Sequence, residues 1–285
     1  MGSWQARAIG LGLAALLTAA ALLGMRCLSV TSARCSLDTL FSPAPALDVP
    51  YAETRPEMVA AMLRMAQVRS GDRVIDLGTG DGRILIAAAR DFGASGLGVD
   101  IDPVLVREAE ANARVAGVAE RTAFRAEDLF ETPIADADVV AMFLLPEVNL
   151  RLRPRILAEM RPGARVVSHA FDMGAWQPDD EVRAGGAHAY LWIVPARVDG
   201  RWRLTGPEGE ALLDLEQSFQ FFSGTATLAD GTAAAISEGR LTGPRIAFRL
   251  DGGNGAQNYG GRVADDAMVG DAMVGESGWR AERVE

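Results

Sequence analysis

Val74-Ile75-Asp76-Leu77-Gly78-Thr79-Gly80-Asp81-Gly82-Arg83-Ile84 reads as a buried strand, a glycine turn and the start of a helix. Val74, Ile75 and Leu77 suit a parallel strand covered on both faces. Gly78, Gly80 and Gly82 permit torsions closed to residues with a Cβ and let a ligand approach the main chain. The helix that follows, Ile84 to Ala89, turns its positive end and free amides toward that ligand. A group carrying a carboxylate or a phosphate is expected there.

The spacing narrows the ligand. A dinucleotide fold needs G-x-G-x-x-G, whereas this chain has Asp76-x-Gly78-x-Gly80-x-Gly82, with an acid before the first glycine. That pattern, Thr79 included, resembles the first motif of the class I S-adenosylmethionine (SAM) methyltransferases. The next apolar run, Gly96 to Val99, ends in Asp100, which is placed to accept hydrogen bonds from two ribose hydroxyls. Asp102-Pro103 then opens a helix, with Asp102 as N-cap and Pro103 as its first residue. A third strand, Thr122 to Ala126, ends at Glu127-Asp128-Leu129. In the methyltransferases an acid at this point accepts from the adenine amino group, so the resemblance assigns Asp128 to adenine. It places Ile101 and Leu129 against the adenine ring. The alternative is a glycine turn without SAM, flanked by three solvated loop carboxylates.

Composition sets the bounds. At 285 residues, 49% of them apolar, the chain has enough material for one medium domain and a small one. The net charge of −10 argues against nucleic-acid binding, since phosphates want a basic surface. It is compatible with a cationic substrate. Apart from two histidines every basic residue is arginine; the chain contains no lysine. With so much alanine, glycine and arginine, this composition suggests a GC-rich bacterial genome. Cys27 and Cys35 stand near the N-terminus and form neither a disulfide framework nor a metal site. No metal is expected, and thiol chemistry is excluded from the catalytic region.

Ala8 to Met25 is uncharged. At 1.5 Å per residue it makes about 27 Å of helix, close to the thickness of a bilayer's hydrocarbon core. As a retained single-pass anchor it would leave the remainder in the cytoplasm, where SAM is made and used. A signal peptide cut after Thr31-Ser32-Ala33, giving a secreted or periplasmic protein, is the alternative; a buried soluble helix is the third reading. Residues 1–35 are thus a hydrophobic segment and 36–49 a linker containing Ser42-Pro43-Ala44-Pro45.

From residue 50 to about 200 strands and helices alternate, the signature of a doubly wound α/β sheet whose ligands sit at the strands' carboxyl ends. The sheet is expected to have seven strands. Thr54 and Glu57 read as a capping box ahead of a helix bearing Met58, Val59, Met62, Leu63 and Ala66. Ala137 to Leu145 reads as the fourth strand, followed by Leu145-Pro146-Glu147 and a helix. Ala164 to Ser168 reads as the fifth, with His169 at its end. Ala189 to Val194 reads as a late strand of the same sheet. The Asn-Pro-Pro-Tyr sequence that methylases of bases or glutamine amides often carry after the fourth strand is absent. After Pro195 the pattern becomes β-periodic, with Leu213, Leu215, Phe219, Phe221, Ile246, Phe248 and Leu250 alternating with polar residues. Residues 201–285 read as a small antiparallel β domain, a half-barrel in outline. A strand around Arg201 to Leu204 is a candidate to close the catalytic sheet. Asp266 to Gly270 repeats at once as Asp271 to Gly275, as expected of a slipped duplication that lengthens a hairpin.

Pro50-Tyr51, Asp76 to Ile84, the Asp100 strand, Phe143-Leu-Leu-Pro-Glu-Val-Asn-Leu-Arg-Leu-Arg-Pro154, and Ala164-Arg-Val-Val-Ser-His-Ala-Phe171 with Trp176 together resemble one family. It is the bacterial and mitochondrial methyltransferases that include the lysine N-methylases of the ATP synthase c-ring protein and of the adenine nucleotide translocator. The resemblance covers about Pro50 to Trp176. Ala52-Glu53 departs from it, standing where the family has Val-Pro. It implies SAM as cofactor and, as substrate, a lysine side chain on a protein, membrane-associated in this case. The glycine turn would hold the methionine part of SAM. Tyr51, Glu147 and His169 are the candidates to accept the amine's proton or line the acceptor channel; His169 titrates near neutrality in the reference state. Two other readings stand beside this one: methylation of a lipid or small molecule, and a non-catalytic SAM-binding module that docks partners through the β domain.

Overall fold

The computed structural model describes residues 52–284, apart from 208, 253–254 and 272–277. The Ala8–Met25 segment, the linker, Tyr51 and most of the second Asp-Ala-Met-Val-Gly copy therefore lie outside the described residues. Among the described residues no helix is long and apolar enough to cross a membrane.

In chain order the first elements are α1 (Pro56–Met65), β1 (Arg73–Leu77), α2 (Arg83–Phe92), β2 (Ser95–Asp100), α3 (Pro103–Val115) and β3 (Thr122–Ala126). They are followed by β4 (Val139–Met142), α4 (Pro146–Glu159), β5 (Arg165–His169), β6 (Asp180–Ala184) and β7 (Ala187–Ile193). The seven strands form one sheet in the order β3-β2-β1-β4-β5-β7-β6. The first five run parallel, and β7 is antiparallel to both β5 and β6. This is the expected Rossmann-like methyltransferase sheet. Its central strands are buried throughout except at Arg73, as a parallel sheet with helices on both faces requires. One face packs against α1, α2 and α3 through Met62, Leu85 and Ala109. The other packs against α4 through Val148, Leu152 and Ile156, with Trp176 and Trp192.

Two local features differ from the expectation. The capping box does not form: α1 starts one residue later than a Thr54 cap would allow, with Arg55 at the N-cap and Pro56 at the first helical position. Thr54 is buried and its hydroxyl lies elsewhere (below). The strand around Arg201–Leu204 does not close the sheet; β6, which pairs with β7, forms that edge.

The remaining strands are β8 (Gly200–Gly206), β9 (Gly209–Ser218), β10 (Phe221–Leu228), β11 (Ala233–Thr242), β12 (Arg245–Gly252), β13 (Gly255–Ala264), β14 (Ala267–Gly270) and β15 (Arg280–Arg283). They close into an eight-stranded antiparallel barrel rather than a half-barrel, because β15 returns to pair with β8. The first Asp-Ala-Met-Val-Gly copy supplies β14. Alternation along each strand sends Trp202, Leu213, Phe222, Ile236, Phe248 and Met268 inward. Arg203, Asp214, Glu216 and Arg249 stand on the outward positions between them. Apolar-in and charged-out is the reverse of a membrane barrel.

The barrel docks on the sheet through a tight junction. Phe219 stacks on Trp176, their ring centroids 6.1 Å apart, and the Trp176 carbonyl accepts from Trp192 Nε1 at 2.8 Å. Gln217 donates to the carbonyls of Ala196 and Phe219. Asp179 accepts from the Ile193 amide and pairs with Arg240 of the barrel. Gly243, at φ 59°, has no room for a side chain: a Cβ would lie 2.8 Å from Gly163 Cα. Gly117 has φ 70° but open space around it, so Gly117→Ala carries the torsional cost alone, about 1 kcal/mol. Gly243→Ala adds the clash and is expected to destabilise by roughly 1–3 kcal/mol more. Urea unfolding of the two variants side by side tests this; equal losses would mean the junction is not close-packed.

Candidate functional site

The carboxyl ends of β1, β2 and β3 bring the sequence-predicted cofactor residues together. The turn after β1 is tied to β2: the amides of Gly78 and Thr79 both donate to the Val99 carbonyl, at 2.9 and 2.8 Å. Gly82 sits at the N-cap of α2 in the left-handed region. A Cβ on it would come 2.9 Å from both Ala109 and Phe124, so this glycine is needed for helix–strand packing as well as for its torsion.

Asp76 is buried beneath the turn and accepts from Thr79 Oγ1 at 2.7 Å. Burial, with smaller contributions from Asp100 and Asp81, pushes its pKa from 3.8 to about 7 despite the Thr79 bond. Its carboxyl shapes the turn from below. Thr79 fits there because residue 98 is glycine; a Cβ at Gly98 would lie 2.5 Å from Thr79 Oγ1.

Asp100 ends β2. Its Oδ2 accepts from the Gly80 amide at 2.9 Å and its Oδ1 from the Asp102 amide at 3.0 Å. Burial raises its pKa, against the pull of these two bonds. A carboxylate offers about four acceptor positions, more than these backbone bonds use, which leaves capacity for a ribose hydroxyl. Asp102 caps α3, accepting from Val104 N. Ile101 is 45% exposed, an apolar surface laid open beside Asp100. After β3, Asp128 is exposed and uses one oxygen to accept from Phe130 N, while Glu127 accepts from Thr132 Oγ1. Leu129 is half-buried. Arg155 of α4 holds this loop by donating to the carbonyls of Phe130 and Thr132.

These residues fit SAM. Asp100 and Asp102 set negative charge beside the turn, while Asp81 is paired with Arg83 and Asp76 ionises only near pH 7; that charge disfavours a pyrophosphate and suits a ligand bearing a sulfonium and an ammonium. The N-terminus of α2 remains to receive a carboxylate.

The ends of β4 and β5 form the other half of the site. His169 is buried; Thr54 Oγ1 lies 3.0 Å from its Nδ1, and Phe143 packs on its ring with centroids 4.0 Å apart. Phe171 lies 6.4 Å from Phe143. Burial lowers the His169 pKa, so the imidazole is neutral at pH 7. Glu147, in the first turn of α4, is exposed. Periodicity and motif spacing point to neither Thr54, Phe143 nor Phe171 as members of this site. The signal for Phe143 lay in the Phe143–Pro154 segment and that for Phe171 in the Ala164–Phe171 segment; Thr54 belongs to neither. Arg83 links the two halves: it pairs with Asp81 in the glycine turn and with Glu53 at 3.1 Å, and donates to the Thr54 carbonyl at 3.0 Å. Among the described residues no three His, Cys, Asp or Glu side chains are grouped to hold a metal ion.

Comparison with known proteins gives matches over the half of the chain that carries this sheet. Residues 76–180 match the ANTKMT methyltransferase domain. A protein-lysine N-methyltransferase of Saccharolobus islandicus is 41% identical over 151 residues, spanning 51% of this chain and 94% of that protein. The adenine nucleotide translocase lysine N-methyltransferase of Mus musculus is 34% identical over 148 residues, 52% of this chain and 64% of that protein. A crystal structure described as an RNA methyltransferase from Salinibacter ruber in complex with S-adenosyl-L-homocysteine shares 48% identity at a TM-score of 0.51. That match covers 52% of this chain and 96% of the solved one.

The Asp76 pKa makes a prediction for stability. The unfolded chain releases this proton near 3.8 and the folded chain near 7, so between those values the folded state holds more protons and stability falls as pH rises. Above about 7 the full penalty, up to roughly 4 kcal/mol, is present. Asp76→Asn keeps an acceptor for Thr79 and removes the charge. It should be more stable than wild type at pH 8, with the gap closing toward pH 4. Urea unfolding across that range measures it; a gap independent of pH would contradict the buried-carboxyl assignment.

Proposed function

We propose a function from one premise: the chain belongs to the family of SAM-dependent methyltransferases that includes the lysine N-methyltransferases of the adenine nucleotide translocase and of the ATP synthase c-ring protein. It is a SAM-dependent methyltransferase, and our reading is that it methylates a lysine side chain on a protein at a membrane. The observation that carries the lysine reading is the wall of Phe143, Phe171 and a neutral, buried His169, set across the strand ends from Asp100.

When bound, SAM supplies a methyl carbon made electrophilic by its sulfonium. The chain's own residues then have four tasks. The glycine turn and the α2 N-terminus hold the methionine part, and Asp100 accepts from the ribose. Ile101 and Leu129 flank the adenine, with Asp128 as acceptor for its amino group. Phe143 and Phe171 exclude water and lower the cost of keeping an amine neutral, since an apolar wall disfavours the ammonium form. His169 accepts the proton that a lysine must lose before it can act as a nucleophile; Thr54 fixes the ring through Nδ1, leaving Nε2 for that exchange. Glu147, near the surface, adds negative charge that draws an ammonium group.

The membrane half of the proposal rests on the uncharged Ala8–Met25 run and gives a single-pass protein with its catalytic domain in the cytoplasm. RNA, named for the Salinibacter ruber protein, is the competing substrate; the net charge of −10 weighs against it here. Mass spectrometry of the membrane proteome with and without the gene tests the proposal, alongside total RNA incubated with enzyme and labelled SAM. Methyl-lysine that depends on the gene is expected; label in RNA or lipid and none in protein would overturn it. Asp100→Ala should weaken SAM binding by roughly 1–3 kcal/mol, the cost of unpaired hydroxyl donors. Calorimetry on the purified protein measures this, and wild-type affinity in the variant would remove Asp100 from the site.

A further inference from the structure

We propose that Asn149 of α4 is a positioning residue for the acceptor wall: its buried amide holds the turn Ser168–Asp172 in the conformation that presents His169 and Phe171 together beside Phe143. The inference rests on the methyl-transfer reading above and adds to it a residue with no contact to the reacting atoms.

The turn is held against its own preference. Ala170 has φ 67°, a left-handed torsion that alanine seldom adopts. It sits directly between His169 and Phe171. Strain of this kind persists where the surroundings over-determine it, and here the surroundings can be named. The Phe171 amide donates to the His169 carbonyl at 2.9 Å, and the Ala170 amide to the His188 carbonyl at 2.8 Å. Ser168 Oγ donates to the Phe171 carbonyl at 2.7 Å. Asn149 Nδ2 then reaches three acceptors at once: Ser168 Oγ at 3.1 Å, and the carbonyls of Phe171 and Asp172, each at 3.2 Å.

Asn149 is costly where it stands. It is fully buried on a helix face whose other buried members are Val148, Leu152 and Ile156. Its Oδ1 is buried without a partner. An apolar residue would fill that space without an orphaned acceptor. What only the amide offers is its pair of N–H donors, and both go to the strained turn.

The chain's two histidines, His169 and His188, make a direct test available. Imidazole proton shifts are followed against pH by NMR in the full protein, with His188→Gln assigning the two signals. Wild-type His169 should titrate below the ordinary histidine range. In Asn149→Ala the turn relaxes, His169 loses its burial against Thr54 and Phe143, and its midpoint should rise toward that range. Adding Ala170→Gly, which allows the left-handed torsion without the clamp, should return the midpoint most of the way. SAM affinity by calorimetry should be unchanged throughout, since the cofactor contacts lie on β1, β2 and β3. On an acceptor protein identified by the membrane-proteome comparison, kcat for Asn149→Ala should fall about 10- to 100-fold, with the double variant recovering part of it.

A folded Asn149→Ala with wild-type His169 titration would overturn the proposal, as would a His169 change that Ala170→Gly does not reverse, or one accompanied by loss of SAM binding. If Asn149→Ala does not fold, Ala170→Gly alone decides. It should raise Tm and leave His169 unmoved; a lower Tm would show that the turn is not strained. None of the NMR or calorimetric readouts uses an acceptor, so failure of the lysine reading leaves this test standing.

Discussion

A carboxyl group buried under a glycine turn is the constraint on which the rest of the site depends. Asp76 cannot be solvated where it lies, and it keeps its place through Thr79, whose hydroxyl bonds to it from within the turn. Thr79 in turn needs a glycine at position 98 on the neighbouring strand. Asp100, at the end of that strand, accepts from the Gly80 amide and pins the turn from its other side. Two acids, one below and one beside, thus set the path of the backbone through the glycine turn. Asp100 also gives the pocket a charge that suits a cationic cofactor and opposes a diphosphate.

A second network carries that geometry to the ends of β4 and β5. Arg83 begins α2 immediately after the glycine turn and reaches both Asp81 and the Glu53–Thr54 segment. Thr54 meets His169, and His169 meets Phe143. α4 supports both ends: Arg155 donates to the loop after β3, and Asn149 to the turn after β5. Arg153 of the same helix donates to the Met173 carbonyl and lies over Phe219 of the barrel. The barrel therefore braces the segment that follows the turn after β5, through Phe219 on Trp176 and Gln220 on the Gln177 carbonyl.

What was legible in the sequence was local. The strand–turn–helix around Asp76, the strand ending at Asp100 and the Asp102 cap each declare themselves within a dozen residues, because periodicity, glycine spacing and capping chemistry are short-range. What was not legible depends on partners far along the chain. Thr54 with Glu57 has the spacing of a capping box, yet Pro56 sets the helix start, and the Thr54 hydroxyl is taken by a histidine 115 positions away. Asn149 looks like any polar residue on an amphipathic helix until the turn after β5 folds against it. The barrel's closure was hidden for the same reason: β15 must travel back to β8, and alternation alone cannot distinguish an open meander from a closed ring. Trp202 belongs by pattern to a strand that could finish the catalytic sheet, whereas it fills the barrel interior.

The central claim is that the acids around the glycine turn select SAM. Isothermal titration of the purified protein with SAM, S-adenosylhomocysteine and NAD, in one buffer at pH 8, tests it most directly. The account predicts saturable binding of the first two, each at one site, and no heat from NAD. Saturable NAD binding with none for SAM would contradict it.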